Sequence, residues 1–440
     1  MSPFGRYELL ALLAKGGLAE IWLARQTGLG GFEKLVVVKR LLERLQDDAE
    51  YVDMFLDEAR INARLQHTNV LQVYELGEVD GRYFLTMEYV EGLPLGVLAH
   101  KCVARLADIP IAIVGGLITQ AARGLHYAHE ATSADGEPME IVHRDVSPLN
   151  MLVSFEGVLK IADFGIAKAT GRRTRTRSGV IKGTPTYMSP EQCTGGEVDR
   201  RSDVFSLGIL MWELLTGRRL FKREAVDATY DAITSGAIPP PSTYRLELPS
   251  SLDALTLRAL ARRPEDRFET AAAFSLELEA ALHREGLRAE VVDVRSFLLE
   301  HFAAEHAEQE EMLARARRGT LSPGDGPIFD HAEHGLDSGE TDLLPDPVFL
   351  DGDTERDADA MSDREPAATP PAEPELEPDT LRGKTRSPIA SAPLLSSPPL
   401  PAVAPPEKRS SPWLLALVVA IAVFAAAMIG LYTGRHAGSH

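Results

Sequence analysis

The stretch "HRDVSPLN", residues 143–150, places a carboxylate, Asp145, five residues before an amide, Asn150. A second carboxylate, Asp163, opens the stretch "DFG" 13 residues after Asn150. An Asp carboxylate can accept the proton of a substrate hydroxyl, and Asp and Asn oxygens are ligands that Mg²⁺ accepts. A lone "DFG" is common in proteins, whereas this spacing of three groups is not. We therefore treat Asp145, Asn150 and Asp163 as one candidate site.

A lysine and a glutamate upstream form a second predicted feature. The stretch "LVVVKR", residues 35–40, alternates as a strand does, so Val36 and Val38 share one face and Lys39 lies on the other. A lysine on an inward face is costly unless it is paired. Glu58 is the expected partner, because it lies beside an apolar stripe at helical spacing. The stripe consists of Val52, Phe55, Ala59 and Ala63. A lysine paired in this way is fixed to reach phosphate oxygens.

Further motifs follow in a fixed order over residues 7–283. They are "VVVK", "FLDEA", "LTMEYVEG", "HRDVSPLN", "DFG", "GTPTYMSPE", "SDVFSLGILMWELLTG" and "RRPEDRF". On these motifs the region resembles the eukaryotic-type (Hanks-type) serine/threonine protein kinases, and the layout of the whole chain resembles membrane-anchored bacterial kinases of myxobacterial type. The resemblance implies an α+β protein kinase fold with a small β-rich N-lobe and a larger α-helical C-lobe. It also implies that ATP and Mg²⁺ (or Mn²⁺) bind in the cleft between the lobes.

The resemblance assigns roles to single residues. Asp145 would be the catalytic base, Lys39 would hold ATP phosphates, and Asn150 and Asp163 would hold the metal ion. Met87 would lie at the gate of the adenine pocket, beside the backbone of residues 88–90. The residues implied to contact the nucleotide are Leu13, Ala14, Gly16, Gly17, Ala19, Ile21, Val37, Lys39, Glu58, Met87, Glu88 and Val90.

Other residues would have structural roles in such a kinase. Glu191 and Arg267 would form an ion pair in the C-lobe, and Asp203 would brace the catalytic loop from below. Thr184 would contact the catalytic loop, which favours serine or threonine over tyrosine as the acceptor. Arg144, next to the base, would receive a phosphate from the activation segment.

The nucleotide hairpin departs from the usual kinase pattern. In "LLAKGGLAEIWLAR", residues 12–25, only the middle glycine of G-x-G-x-x-G remains, as Gly16, with Gly17 after it. Ala14 and Ala19 occupy the outer positions. Alanine does not easily adopt a positive φ, so a stiffer hairpin is expected.

The catalytic loop also departs from the pattern, at Ser147. Serine/threonine kinases generally carry a lysine there, which neutralises the γ-phosphate as it transfers. Loss of one such contact can cost on the order of 10² to 10³ in rate. Lys39, Asp145 and Asp163 are the residues that pseudokinases more typically lack, and all three are present. The sequence therefore favours an active kinase, with a membrane-tethered pseudokinase that acts as a nucleotide-binding scaffold as the alternative.

The segment between "DFG" and "GTPTYMSPE" has the length of an activation segment. It holds Thr174, Thr176 and Ser178 among four arginines. Phosphorylation would add about 1.5 to 2 negative charges per site and let this basic segment fold against cations. Autophosphorylation is expected at Thr174 or Thr176, with Ser178 as a further candidate, and a merely solvated basic loop is the alternative.

The C-terminal part of the chain changes character. Residues 284–318 are predicted to form a helical extension, and residues 319–412 a disordered linker rich in Pro and acidic residues. Residues 413–432 carry no charge, and their length matches a membrane span, with Trp413 and Tyr432 at its ends. Lys408 and Arg409 precede this segment, which favours a single pass through the inner membrane with the kinase domain in the cytoplasm. Residues 433–440 would form a short extracytoplasmic tail.

Charge and cysteine content restrict the partners. The net charge is −19, and residues 321–380 hold 18 acidic residues against two arginines, a net −16. No basic cluster indicates nucleic acid as a partner. The two cysteines, far apart in sequence, are typical of a reducing cytoplasm. The expected partners are cytoplasmic proteins phosphorylated on serine or threonine, and the membrane; the sequence leaves a homodimer open.

Overall fold

The first part of the chain folds into an antiparallel sheet crossed by one helix. The computed structural model describes residues 2–105, 107–133, 135–164, 185–325 and, for the backbone alone, 329–330. The strands are β1 (Ser2–Phe4), β2 (Tyr7–Lys15), β3 (Ala19–Thr27), β4 (Glu33–Leu41), β5 (Val73–Val79) and β6 (Arg82–Glu88). Their order in the sheet is β1-β2-β3-β4-β6-β5. The helix is α1 (Ala49–Asn62).

Strand β4 separates two apolar clusters, as its alternation predicts. Val36 and Val38 pack on one face, and Val37 packs on the other face against Phe55 and Ala59 of α1. The predicted stripe on α1 is wrong at its end, because Ala63 is exposed. The helix ends at Asn62, whose side-chain amide donates to the carbonyl of Glu58 at 2.9 Å and is buried instead.

The C-lobe is helical around a small second sheet. Its helices are α2 (Leu95–Ala104), α3 (Ile111–His129), α4 (Pro190–Thr194), α5 (Arg200–Thr216), α6 (Val226–Thr234), α7 (Ser250–Ala259) and α8 (Ala271–Arg284). The sheet consists of β7 (Gly92–Pro94), β8 (Met151–Ser154) and β9 (Leu159–Ile161). Val114, Leu117, Ala121 and Leu125 recur at helical spacing along α3 and are fully buried. The two lobes expected from the sequence are therefore present.

Two further helices follow the C-lobe, α9 (Val291–His301) and α10 (Ala303–Arg318). The backbone of β10 (Phe329–Asp330) then pairs in parallel with Ala14 and Lys15 of β2. The start of the predicted linker belongs to the folded unit, because Leu321 is buried against β2, β3 and α10. A single apolar residue in a Gly- and Pro-containing stretch has no periodicity, so the sequence pattern gave no sign of this contact.

None of the helices that the structure describes is long and apolar enough to cross a membrane. The predicted membrane segment, residues 413–432, and most of the predicted linker lie outside the described residues.

Candidate active site

Lys39 joins both lobes at the cleft. Its Nζ donates to Glu58 Oε1 at 2.8 Å and to Asp163 Oδ1 at 2.7 Å. The Lys39 side chain is 12% exposed and that of Asp163 39% exposed, so the carboxylate remains open to the cleft. The pairing of Lys39 with Glu58 is the one that the strand and helix periodicities predict. We refer to Lys39, Glu58 and Asp163 as the ion-pair group.

The charged side chains of the ion-pair group shift one another's pKa values. Burial alone would lower the pKa of Lys39, but the charges of Asp163 and Glu58 raise it above its ordinary value. Burial would likewise raise the pKa of Asp163, but Lys39 holds it below the usual range. Burial, together with the nearby Asp163 carboxylate, raises the pKa of Glu58 to about 7, against the pull of Lys39. Asp163 is thus the carboxylate held ionised, as a metal ligand must be.

The catalytic-loop residues Asp145 and Asn150 contact each other directly. The Asn150 side-chain amide donates to the Asp145 backbone carbonyl at 2.8 Å and to Asp145 Oδ2 at 3.1 Å. The Asn150 side-chain oxygen, Oδ1, accepts no hydrogen bond from any described residue, which leaves it available to a metal ion. Asn and Asp oxygens suit a hard divalent cation, so Asn150 and Asp163 fit the metal expected there.

His143 holds the loop from inside. It is fully buried, and burial lowers the pKa of its ring, so the ring is neutral. Its Nδ1 accepts the Asp145 amide at 3.2 Å, and its Nε2 therefore carries the proton and donates to the Ala162 carbonyl at 3.1 Å. One side chain thus links the base residue to the strand end that carries Asp163.

Asp203 supports the same loop from below. Its carboxylate accepts the backbone amides of His143 and Arg144, both at 2.8 Å, and contacts His129 Nε2 at 2.7 Å. Asp203 is 1% exposed. Burial would raise its pKa, but the hydrogen bond from His129 and the neighbouring donors hold the pKa below its usual value. This is the bracing role that the resemblance implied.

Arg144 adopts a left-handed backbone, with φ at +64°. That conformation is strained for a residue with a side chain, so it needs fixing on both sides. The amide is bound by Asp203, and the carbonyl accepts Gln192 Nε2 at 2.9 Å. We refer to Asp203, His129, His143, Arg144 and Gln192 as the loop-support group.

An apolar cluster lies next to the ion-pair group. Five residues implied to contact the nucleotide belong to one cluster, here called the pocket cluster: Leu13, Ile21, Val37, Met87 and Val90. Leu152 and Ala162 pack against the same cluster. The backbone amide and carbonyl of Val90 make no hydrogen bond to any residue that the structure describes. These groups suit the polar edge of an adenine ring.

Glu88 has a different role from its neighbour. Its Oε1 accepts the Gln72 amide at 2.7 Å and Lys160 Nζ at 2.8 Å, and its own amide donates to the Gln72 carbonyl. We call residues 87–90, which connect the lobes, the hinge. The Glu88 side chain therefore ties the hinge to the C-lobe strand β9. The side chain and the amide of Glu88 are thus engaged within the protein and are not available to a nucleotide.

The hairpin between β2 and β3 is narrow. The Gly16 amide donates to the Ala19 carbonyl at 2.9 Å, and Ala14 and Ala19 are buried in the sheet. Neither Gly16 nor Gly17 has a positive φ. The hairpin therefore does not need glycine in order to adopt a positive φ. The stiffer hairpin expected from Ala14 and Ala19 is thus not supported by the backbone conformation.

Glu191 and Arg267 form a two-pronged ion pair. The two terminal guanidinium nitrogens of Arg267, Nη1 and Nη2, each donate to the Glu191 carboxylate at 2.8 Å, and the Ser202 hydroxyl donates to the same carboxylate. Burial would raise the pKa of Glu191, but Arg267 and Ser202 hold it below its usual value. The pair joins α4 to the segment before α8.

The sequence analysis missed several residues of this site. His129 and Gln192 belong to the loop-support group, and Leu152 and Ala162 pack against the pocket cluster. Ala162 directly precedes "DFG" and Leu152 falls on the strand after the catalytic loop, so both could have been found by alternation; His129 and Gln192 carry no such signal. The predicted residues Thr174, Thr176, Ser178 and Thr184 lie outside the described residues.

Comparison with known proteins agrees with this geometry. The family described as "Protein kinase domain" matches residues 7–277, which is more than half of the chain. The chain belongs to the protein kinase domain family. The kinase resemblance drawn from the motifs and the two-lobed protein kinase fold are thereby confirmed.

Kinases from several bacteria are similar to this kinase chain. Tyrosine-protein kinase MasK of Myxococcus xanthus (strain DK1622) is 40% identical over 366 residues, which are 83% of this chain and 56% of MasK. Serine/threonine-protein kinase PknH of Mycobacterium tuberculosis (strain ATCC 25618 / H37Rv) is 35% identical over 281 residues, 64% of this chain and 42% of PknH. The PknI kinase domain crystal structure from Mycobacterium tuberculosis has 27% identity and a TM-score of 0.48, and the match covers 64% of this chain and 97% of that one.

Two facts about coverage follow. The chain spans about half the length of the curated relatives it matches. The similarity to MasK covers 83% of this chain, so it includes α9 and α10 wherever in the chain it begins. The sequence that forms these two helices therefore lies within the stretch that is similar to MasK.

Proposed function

We propose that this kinase domain transfers the γ-phosphate of ATP to serine and threonine residues of proteins. The observation that carries the proposal is the ion-pair group, in which Lys39 contacts Glu58 at 2.8 Å and Asp163 at 2.7 Å. Three buried or half-buried charges from remote parts of the sequence are expensive to bring together. They are explained together by a site that holds phosphates and a metal ion.

The residues would divide the work as follows. Lys39, fixed by Glu58, holds phosphate oxygens of the nucleotide, while Val37, Met87 and Leu152 enclose its base. Asn150 and Asp163 hold Mg²⁺ or Mn²⁺, and the ion neutralises phosphate charge when bound. Asp145, oriented by Asn150 and His143, accepts or orients the proton of the acceptor hydroxyl.

The class of acceptor needs its own test. Several relatives are named serine/threonine kinases, and Thr184 stands where the family keeps a threonine near the catalytic loop. MasK, however, is named a tyrosine-protein kinase and is similar over more of this chain than PknH. Tyrosine phosphorylation is therefore the second candidate activity.

We also propose that the kinase autophosphorylates on its activation segment and is tethered to the inner membrane. The three hydroxyl residues among four arginines support the first part, and the uncharged stretch at residues 413–432 supports the second. The kinase domain would then face the cytoplasm and act on cytoplasmic proteins.

The activity is tested with full-length protein and γ-labelled ATP, with Mg²⁺ and with Mn²⁺. Wild-type protein is expected to label itself and a basic protein substrate, and Asp145→Asn should lower the rate by about 10² to 10⁴. Acid hydrolysis of the labelled protein should yield phosphoserine and phosphothreonine. Mapping should place sites at Thr174, Thr176 or Ser178.

Other outcomes point to the alternatives. Phosphotyrosine alone would replace the proposed acceptor class with that named for MasK. Nucleotide binding without any label, identical in wild type and Asp145→Asn, would leave the pseudokinase scaffold as the function. Membrane fractionation of the full chain against a chain lacking residues 413–440 tests the tether.

A further inference from the structure

Helix α10 contacts the kinase domain at three successive places. Near its start, Glu305 accepts Lys101 Nζ of α2 and Nη2 of Arg105, the residue after that helix, both at 2.8 Å. Near its end, an apolar group of α10 and the following turn packs on the N-lobe. That group, here called the brace cluster, consists of Met312, Leu313, Ala316 and Leu321 against Leu10, Ala11 and Leu23 of β2 and β3. One helix therefore has its two ends on different lobes.

The middle of α10 lies on the hinge. Gln309 is 8% exposed, and its side-chain amide binds both backbone groups of one residue, Gly92. Gln309 Oε1 accepts the Gly92 amide at 3.0 Å, and Gln309 Nε2 donates to the Gly92 carbonyl at 2.6 Å. The Tyr89 hydroxyl also donates to Gln309 Oε1, at 3.4 Å. Gly92 follows Val90 by two residues, so this clamp lies next to the backbone groups available to adenine.

Two residues connect α10 to the nucleotide pocket. Leu13 is a member of the pocket cluster, and Tyr89 packs against that cluster. Both residues also pack against the brace cluster. Leu13 is on the strand that leads into the hairpin, and Tyr89 is on the hinge. A displacement of α10 would therefore change the packing of the pocket on two sides, since packed interiors transmit small shifts.

The base of α10 is fixed to the C-lobe by α9. Phe302, between the two helices, is fully buried, and the guanidinium of Arg105 lies over its ring at 5.2 Å. Gly157, in the turn between β8 and β9, approaches α9 so closely that a Cβ there would lie 2.1 Å from the Val291 carbonyl oxygen. The C-lobe end of α10 is thus firmly packed on the C-lobe, from which the helix runs to the hinge and the N-lobe.

We propose that α10 is a brace that holds the hinge in its nucleotide-binding conformation, with Gln309 as the positioning residue. This rests on the proposed function, in which ATP binds between the lobes. Gln309 itself touches no part of the site described above; it acts through Gly92 and Tyr89. The shared coverage of α9 and α10 with MasK is consistent with a role that belongs to the kinase unit rather than to the linker.

The experiment compares Gln309→Ala with wild type in the full-length chain. The matched control is Glu308→Ala, one residue away on the exposed face of the same helix. The Kd of a fluorescent ATP analogue with Mg²⁺ is measured for each, and KM for ATP and kcat are measured separately. Gln309→Ala should raise Kd and KM about 3- to 10-fold and change kcat by less than about twofold, because a net hydrogen bond is worth about 0.5 to 1.5 kcal/mol. Glu308→Ala should match wild type.

A second readout separates positioning from general loss of structure. Hydrogen exchange at the Gly92 amide should become faster in Gln309→Ala, while melting temperature and far-ultraviolet circular dichroism stay close to wild type. If Gln309→Ala does not fold, Gln309→Glu takes its place; it keeps the acceptor for Gly92 but cannot donate to the Gly92 carbonyl, and should raise Kd about threefold.

The outcomes distinguish two failures. A wild type that binds the analogue, together with a folded Gln309→Ala or Gln309→Glu that binds it equally well, overturns the brace alone. A 3- to 10-fold fall in kcat with an unchanged Kd for the analogue also overturns the brace. A wild type that does not bind the analogue overturns the proposed function, and the brace with it.

Discussion

The candidate site depends on two polar groups, one at the cleft and one buried below the catalytic loop, that are built in different ways. In the ion-pair group, the Lys39 ammonium bonds the side chains of Glu58 and Asp163, and the Asp163 side chain is 39% exposed. In the loop-support group, Asp203 is 1% exposed and bonds two backbone amides and a buried histidine. A side-chain ion pair beside solvent can exchange one partner for a phosphate or a metal ion. A buried carboxylate bound to backbone amides has no equivalent replacement.

The difference assigns separate tasks to the two groups. The ion-pair group meets the reacting species and should govern rate more than stability. The loop-support group holds a strained backbone beside the base and should govern stability and rate together. Substitutions in the two groups should therefore fall into two classes, and the following variants are ordered by the size of the expected effect.

Asp203→Ala is expected to have the largest effect, a loss of about 3 to 5 kcal/mol in the free energy of unfolding. The substitution leaves the buried amides of His143 and Arg144 and the ring of His129 without their partner. Denaturant unfolding of the full chain measures the loss, and activity should disappear with the loop geometry. The control is Asp199→Ala, which removes the N-cap of the same helix and should cost only about 1 kcal/mol. Equal losses in the two variants would contradict the buried-brace role.

Lys39→Met should lower kcat/KM by about 10² to 10³ and should lower the free energy of unfolding by less than Asp203→Ala does. The lysine holds charge that develops on the phosphates, whereas the two carboxylates left behind can take up a proton or water. Burial already raises the pKa of Glu58 to about 7, so its neutral form is accessible.

Lys34→Met is the matched control for Lys39→Met. Lys34 lies on the same strand but is exposed, with its Nζ over the Tyr74 ring at 3.7 Å. Its rate should stay within about twofold of wild type, since an exposed cation–π contact contributes about 0.5 to 1 kcal/mol to stability and nothing to the cleft. If Lys39→Met were less stable than Lys34→Met and both of these variants kept full activity, the division of tasks between the two polar groups would be wrong.

The sequence predicted these two groups unequally. Lys39 and Glu58 could be paired from local periodicity, because a strand alternates every second residue and α1 repeats every three or four. Asp145, Asn150 and Asp163 could be recognised from spacing and family motifs. His129 and Gln192 could not, because their partners lie 48 to 74 residues away and no pattern within their own helices records that contact.

The fold shows the same limit. The motifs predicted the two lobes, and amphipathic character predicted a helical extension after the C-lobe. An amphipathic pattern says that one face is buried but does not name the surface that buries it. The contact of Gln309 with Gly92, 217 residues apart, therefore became visible only in the structure.

Gln192→Glu should have a smaller effect that still belongs to the loop-support class. The Gln192 side chain accepts the Ser189 amide at 2.9 Å and donates to the Arg144 carbonyl at 2.9 Å. Glutamate keeps the first bond and loses the second, so the helix cap survives while the left-handed Arg144 loses one support. We expect a loss of about 1 kcal/mol in unfolding free energy and a fall in rate of about 3- to 10-fold.

Gln192→Ala completes that comparison, because it removes both bonds. It should be less stable than Gln192→Glu by up to about 1 kcal/mol, the value of the reciprocal cap, but should show a similar rate. A full rate in Gln192→Glu with a reduced rate in Gln192→Ala would assign the effect to the cap of α4 and not to the loop.

Ser147→Lys is the variant with the smallest expected effect, and it tests whether the catalytic loop lacks only a cation. Ser147 has extended φ and ψ of −148° and 162°, which lysine adopts without strain. Its hydroxyl makes no hydrogen bond to any residue that the structure describes, and its carbonyl bond with the Asn150 amide at 3.2 Å is independent of the side chain. The residue is 9% exposed, so a lysine must extend into the cleft, where the phosphates bind.

For Ser147→Lys we expect the transfer rate to be kept or raised by up to about tenfold, because a cation would be added to a site whose catalysis is electrostatic. Ser147→Gln, of similar length and no charge, is the control, and single-turnover rates at saturating ATP are the measurement. A fall in rate for Ser147→Lys that is as large as that for Ser147→Gln would mean that the loop is built around serine, and that the missing charge is supplied by the metal ions or by another cation.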